Sequence, residues 1–530
     1  MPGDNVPDID RDRPAPLVCA TVTGATAAEL RANRDRVAGA DLIELRLDSV
    51  DRPDVASALA GRTTPVIVTC RPAWEGGRFA GSERERLGLL GAALAAGAEF
   101  VDVEWRAEHK PLIRRHGGDR IVISTHDFEG IPNDIGDRYR AMRATGAAVV
   151  KVAAATRGLC DTLALAALGR GAESERRVVI GMGPAGIASR VLAGRFGSCW
   201  TYAGEGVAPG QIELPRLRDE YRFPAITRRT AIYGVVGAPV SHSLSPAMHN
   251  AGFAEAGLDA VYLPLEARDV DDFVQFAAAV PLRGVSVTAP FKEALAARVT
   301  DVDPIGRQVG AINTVRCGDT GWQGLNTDVP GFVETLLGRM RLPGVRAAVL
   351  GAGGAARAVA VGLAGEGALV AICARDGAKG AAAAAAVGVA AGDYPPPAGS
   401  WDLLVNTTPA GTWPDVEATP LPGGPFRGRL VYDLVYNPAT TRLLADAAAA
   451  GCDTIGGLDM LVAQAVRQFA WWTGRRPSGR RFREAAEREL ARQAAAGAPD
   501  GEAAGKATAG GTANGGAAAA AGRTPAEPGR

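Results

Sequence analysis

The 530 residues are 47% hydrophobic and carry 58 basic against 58 acidic side chains. That length exceeds one ordinary core and predicts three or four domains. The balanced charge argues against nucleic acid or an anionic membrane as a partner and for work on small molecules. Seven cysteines (Cys19, Cys70, Cys160, Cys199, Cys317, Cys373 and Cys452) are scattered without a C-x-x-C pair, which argues against a zinc knuckle or a disulfide framework and for a reducing compartment. The N-terminal MPGDNVPDIDRDRPAP has neither the basic and apolar blocks of a signal peptide nor the acid-poor character of a transit peptide, and no uncharged apolar run approaches 18 residues. A cytoplasmic location is expected.

From Pro16 onward eight candidate strands recur: 17–22, 41–48, 65–71, 100–105, 120–127, 149–154, 176–182 and 198–204. Ala/Leu/Arg-rich stretches long enough for helices lie between most of them. Such alternation implies a parallel sheet, and eight units fit a closed (β/α)8 TIM barrel better than an open sheet. Barrel chemistry sits at the C-terminal ends of strands, so Glu44, Arg46, Arg71, Glu75, Glu104, His126, Lys151, Arg190 and Gln211 are expected around one mouth. Lys151 stands alone inside the apolar V-V-K-V-A-A. It is either a lysine paired with a barrel carboxylate or a desolvated amine suited to a Schiff base. His126 ends the preceding strand in S-T-H-D-F, which places an imidazole base beside that amine.

The motifs E-L-R-L-D (44–48), R-P-A-W-E-G-G (71–77), S-T-H-D-F (124–128), V-K-V-A (150–153), G-P-A-G-I-A-S-R (183–190) and A-P-G-Q (208–211) stand in order. This stretch, about residues 14–222, resembles type I 3-dehydroquinate dehydratase. The resemblance implies that Lys151 forms the Schiff base and His126 transfers protons, with Glu75 as the supporting carboxylate. It implies that Thr21, Glu44, Arg46, Arg71, Arg190 and Gln211 bind substrate, with no metal required. Val207 departs from the serine that many such enzymes carry before A-P-G-Q.

After the seam around 209–237 comes a new start, AIYGVVG, leading into A-P-V-S-H-S-L-S-P. Ser243 and Ser245 are a helix cap and turn or part of a binding loop. Further on, V-T-A-P-F-K delivers Thr288 and Lys292, A-I-N-T delivers Asn313, and N-T-D delivers Asn326 and Asp328. Together these form a polyol-binding set with a lysine and aspartate as a proton-relay pair. The stretch R-A-A-V-L-G-A-G-G-A-A-R-A-V (346–359) is an apolar strand, a glycine turn and a helix in the G-x-G-x-x-A form of the dinucleotide fingerprint. A second strand ends near Ala374-Arg375-Asp376, where Arg375 in place of an acid suggests the 2′-phosphate of NADP.

These motifs, with V-N-T-T-P-A-G (405–411), Y-D-L-V-Y-N-P (432–438) and G-L-D-M-L-V-A-Q-A (457–465), resemble shikimate dehydrogenase over about residues 233–493. The resemblance implies Lys292 and Asp328 as the catalytic pair, and Ser243, Ser245, Thr288, Asn313, Asp328, Tyr436 and Gln464 around shikimate. It places Gly351, Ala352, Gly353, Gly354, Ala355, Ala374, Arg375, Asp376, Thr407, Leu434 and Gly457 around the cofactor. NADP-dependent relatives often read N-R-T at 374–376, and Asp376 here adds a negative charge near the expected phosphate.

The expected organisation is a flexible 1–13, the barrel over 14–222, a linker over 223–230, a shikimate-binding domain over 231–331 completed by 456–493, a Rossmann-type domain over 332–455, and a disordered Ala/Gly-rich tail over 494–530. The expected activity is bifunctional: dehydration of 3-dehydroquinate, then NADPH-dependent reduction of 3-dehydroshikimate to shikimate. Quinate or shikimate catabolism with NAD and a non-catalytic metabolite sensor are the alternatives. The charged connector at about 217–229 lacks Gly/Ser looseness and predicts modules in fixed contact.

Overall fold

The computed structural model describes residues 15–168, 175–204, 206, 208–318, 320–424 and 426–497. The first module is built on eight parallel strands: β1 (Leu17–Val22), β2 (Leu42–Arg46), β3 (Val66–Thr69), β4 (Phe100–Glu104), β5 (Ile121–Asp127), β6 (Val149–Ala155), β7 (Arg176–Met182) and β8 (Trp200–Ala203). They pair in the order β7-β6-β5-β4-β3-β2-β1-β8, and a bridge between Arg177 and Ser198 draws the two ends together. A near-closed barrel results. Because successive side chains on a strand face opposite ways, Val101 and Val103 of β4 join the outer core under the helices while Asp102 and Glu104 face inward. Leu42, Ile67, Val122, Val149, Val178 and Trp200 form a separate buried cluster inside the barrel.

The second module opens with β9 (Ala231–Gly237), β10 (Ala260–Glu266), β11 (Leu282–Val287), β12 (Asp301–Val302), β13 (Thr314–Gly318) and β14 (Gly321–Leu325), ordered β10-β9-β11-β13-β14-β12. A second sheet follows from β15 (Arg346–Leu350), β16 (Leu369–Cys373), β17 (Ala390–Gly392), β18 (Leu403–Asn406), β19 (Leu430–Asp433) and β20 (Asp453–Ile455). Its order, β17-β16-β15-β18-β19-β20, is wholly parallel and reverses direction at β15, the topological switch point where dinucleotides bind in such sheets.

The connector is folded. Arg216–Glu220 is a π-helical turn and Phe223–Ala225 a 3-10 turn, with Leu217, Tyr221 and Phe223 buried. Arg222, at φ 52°, donates to the carbonyls of Leu258 and Ala260 in the second module. The last helix runs Gly479–Gly497, so the segment expected to be structureless from 494 begins in a helix. The rest of that tail, the first thirteen residues and Val207 lie outside the described residues.

Candidate active sites

In the barrel, β6 places Lys151 level with Ser124 of β5, and the lysine Nζ lies 3.1 Å from Asp102 Oδ2 and 3.5 Å from Glu44 Oε1. The Tyr202 ring lies 4.3 Å from the same ammonium. Lys151 is thus both buried and paired with carboxylates. Arg71 bridges Asp102 at 3.0 Å and Glu104 at 2.6 Å, and Ser124 Oγ donates to Asp102 at 2.6 Å. Burial favours protonation of Asp102, but Arg71 and Lys151 outweigh it and hold the carboxyl well below the usual carboxylate range.

His126 meets Glu75 twice. Its backbone N–H donates to Glu75 Oε1 at 2.8 Å, and its Nδ1 lies 3.2 Å from the same oxygen. Burial first, then the nearby Arg71 and Lys151 charges, push His126 well below the ordinary imidazole value. Burial raises Glu75 to about 7.

Thr21, Glu44, Arg46, Arg71, Glu75, His126, Lys151, Arg190 and Gln211 all line one cavity, of about 160 Å³. Arg46 is held by Asp48 at 2.8 Å, but among the described residues Arg190 makes one hydrogen bond, to the Pro209 carbonyl at 3.0 Å, and its buried Nε has no partner there. Burial pushes that guanidinium down to about 10. Tyr202 Oη and Gln211 Oε1, in residues lining the same cavity, are also buried without partners among the described residues. Buried polar groups left this way suit a polar, anionic occupant that completes their bonding.

In the second module, Lys292 Nζ lies 2.6 Å from Asp328 Oδ2, and Asn313 Nδ2 donates to Asp328 Oδ1 at 2.7 Å and to Gln464 Oε1 at 3.3 Å. Asn326 lies beneath them, its amide donating to the Ala311 carbonyl and its Oδ1 accepting from the backbone of Asp328. Helix Ser245–Glu255 has Leu244 at its N-cap, so neither serine caps it; Ser243 Oγ accepts from the Ser245 N–H at 3.3 Å. Among the described residues, Ser243, Thr288 and Tyr436 lie outside the hydrogen-bond network of Lys292 and Asp328.

The glycine turn after β15 fits a dinucleotide. Gly351 has φ 120°, and a Cβ there would lie 2.5 Å from Thr407 Oγ1; one on Gly457 would lie 2.1 Å from the Leu434 carbonyl oxygen. Both positions therefore require the missing side chain. Helix Gly354–Gly365 begins at the end of this turn: Ala352 and the N-cap Gly353 precede it and Ala355 lies in its first turn. Asp376 has a local role as well. Its carboxylate is the N-cap of helix Gly377–Val387, accepting from the Lys379 N–H at 3.1 Å, with Lys379 Nζ at 3.5 Å. The carboxylate is exposed and remains a negative charge next to Ala374 and Arg375.

Sequence reasoning did not single out Asp102, Ser124 or Tyr202. The available signal was alternation: Asp102 stands two before Glu104 in F-V-D-V-E and so shares its face. Nor did it single out Thr327, whose Oγ1 accepts from Asn313, or Gln468, whose amide donates to Thr314 Oγ1 at 3.0 Å.

A barrel with a buried lysine at its mouth, followed by a lysine–aspartate pair beside a dinucleotide fold, defines the class: a lyase-type barrel joined to a dehydrogenase. Comparison with known proteins narrows it. Residues 18–228 match type I 3-dehydroquinase, 235–315 the shikimate dehydrogenase substrate binding domain, and 457–487 the shikimate 5′-dehydrogenase C-terminal domain. The chain is 32% identical over 497 residues to the chloroplastic bifunctional 3-dehydroquinate dehydratase/shikimate dehydrogenase of Arabidopsis thaliana, covering 86% of this chain and 82% of that one. It is 43% identical over 263 residues to the NADP(+) shikimate dehydrogenase of Moorella thermoacetica, covering 46% of this chain and 89% of that one. A solved shikimate 5-dehydrogenase from Thermus thermophilus, in complex with NADP(H) and shikimate, aligns with a TM-score of 0.45 and 39% identity, covering 49% of this chain and 99% of that one. The chain belongs to the family of bifunctional 3-dehydroquinate dehydratase/shikimate dehydrogenases.

Proposed function

We propose that this chain performs two consecutive steps of the shikimate pathway, dehydrating 3-dehydroquinate in the barrel and reducing the resulting 3-dehydroshikimate to shikimate in the second module. The observation that carries the reading is the barrel cavity, where a buried lysine, a His–Glu pair and an arginine with no carboxylate partner among the described residues share one space.

Lys151, as the free amine, attacks the substrate carbonyl carbon; the carbonyl oxygen departs as water and an iminium remains. That cation acidifies the neighbouring C–H. His126, neutral because burial and nearby cations depress its basicity, takes the proton with Glu75 orienting the ring. The electron pair expels the β-hydroxyl, which leaves as water with the proton returned by His126, and hydrolysis frees Lys151. Asp102 and Glu44 stand beside the nitrogen throughout. Arg190 is suited to the substrate carboxylate, with Thr21, Arg46, Arg71 and Gln211 around the ring.

In the second module, Lys292 and Asp328 hold the proton that the reduced carbonyl oxygen takes up, and Asn313 and Gln464 position hydroxyls beside them. Ser243, Ser245, Thr288 and Tyr436 complete the shikimate site in this reading. NADPH, when bound, supplies the hydride. Gly351 to Ala355, Thr407, Leu434 and Gly457 would hold it, and NADP is favoured over NAD because Arg375 stands where an NAD-specific fold places an acid. The domain limits given above and a cytoplasmic setting belong to the same proposal; no disulfide joins any of the seven cysteines, and no described helix is long and apolar enough to cross a membrane.

Borohydride reduction with 3-dehydroquinate tests the barrel reaction. A covalent adduct mapped to Lys151 is expected, and its absence in an active sample overturns the imine.

A further inference from the structure

The strand that carries Lys151 runs into the segment 156–158 and then helix Leu159–Ala167. Four consecutive backbone N–H groups lead into that helix without an intrahelical partner: Arg157 just before the N-cap, Gly158 at it, and Leu159 and Cys160 in the first turn. Asp161 Oδ2 accepts two of them, from Arg157 at 2.7 Å and Gly158 at 3.3 Å. The other two are taken from outside the barrel. Asp272, on helix Val270–Ala279 of the second module, accepts from Leu159 at 2.8 Å and from Cys160 at 2.9 Å, and is 1% exposed.

At the start of its own helix the N-cap is Asp269, which accepts from the Asp272 N–H at 2.8 Å, while Asp272 Oδ2 accepts in return from the Arg268 N–H at 3.0 Å. The same carboxylate thus ties the start of its own helix to the neighbouring enzyme. Gly158 makes room for it: a Cβ there would stand 2.6 Å from Asp272 Oδ2. The φ of Gly158 is −162°, open to any residue, so this glycine is required by space and not by backbone conformation.

The clamped segment touches the dehydratase cavity. Thr156 Oγ1 donates to the Met182 carbonyl at 2.8 Å, and Arg157 donates to the Glu129 carbonyl at 2.7 Å. Met182 and Phe128, the neighbour of Glu129, both line that cavity. We propose that Asp272 is a positioning residue for the barrel reaction: the dehydrogenase module fixes the loop that follows the Lys151 strand and so shapes the cavity wall of the dehydratase. This rests on the dehydratase reading above.

The test uses full-length chains, with wild-type dehydratase turnover as the reference that separates this inference from that reading. Asp272→Ala is expected to raise the KM for 3-dehydroquinate about fivefold, the equivalent of one lost N-cap. Its kcat stays within about twofold, as does dehydrogenation of shikimate. Asp272→Asn, whose amide oxygen still accepts an N–H, recovers part of the loss. Gly158→Ala, which keeps the carboxylate but displaces it, shifts the same KM and carries the test if Asp272→Ala does not fold. In the double variant the two effects are not additive. An unchanged dehydratase KM in folded Gly158→Ala and Asp272→Ala, or effects that multiply independently, overturns the proposal.

Discussion

His126 Nδ1 and Glu75 Oε1 stand 3.2 Å apart, and their surroundings drive both towards neutrality. Burial raises the carboxyl to about 7, while burial and two nearby cations lower the imidazole. The acid limb of dehydratase kcat/KM is therefore expected near pH 7, following ionisation of Glu75 and not of a histidine at its ordinary value. Activity rises as Glu75 becomes charged and can stabilise the protonated ring. In Glu75→Gln that limb disappears and the plateau falls about tenfold or more; a pH–rate profile checks both.

The same group makes stability pH-dependent, with a definite sign. Its folded value, about 7, lies above the ordinary 4.5, so the folded state binds more protons between these limits and stability falls as pH rises through that window. The cost above pH 7 is on the order of 3 kcal/mol. Glu75→Gln removes the slope, so its Tm advantage over the wild type is expected to be larger at pH 8 than at pH 5, read by calorimetry.

Lys292→Ala is expected to lower dehydrogenase turnover by about 10²–10⁴, while dehydratase turnover stays at the wild-type level. Measuring both on one sample separates a site effect from a folding defect.

At the cofactor end, Arg375→Ala is expected to raise the KM for NADPH far more than that for NADH. Asp376→Ala is expected to shift the ratio towards NADPH, because it removes an exposed negative charge beside Arg375. Steady-state kinetics with each nucleotide decides this.

Much of the fold was legible because apolar runs and turn residues recur with a regular spacing. Val149–Ala155 reads as a strand from composition, and the intruding Lys151 marks the site by contrast. Asp102 drew no such attention: an acid in F-V-D-V-E looks like half of an alternating strand until the barrel closes and buries it against Lys151 and Arg71. The N-cap role of Asp376 was not read from the sequence, because a residue beside a phosphate-binding turn draws attention to its charge, whereas the helix start also uses its oxygen locally. Asp272 is invisible in sequence for another reason. Its partners stand 113 and 112 residues away in the other enzyme, and only the packed interface brings them together.

The central claim is that one chain carries both reactions, and a single measurement tests it most directly. Purified chain is given 3-dehydroquinate and NADPH, and nucleotide oxidation is followed beside Lys151→Ala. Wild type is expected to consume one NADPH per 3-dehydroquinate. The variant is expected to lose this by more than about 10³ and yet oxidise NADPH normally when given 3-dehydroshikimate. No oxidation from 3-dehydroquinate by the wild type, or undiminished oxidation by Lys151→Ala, would contradict the account.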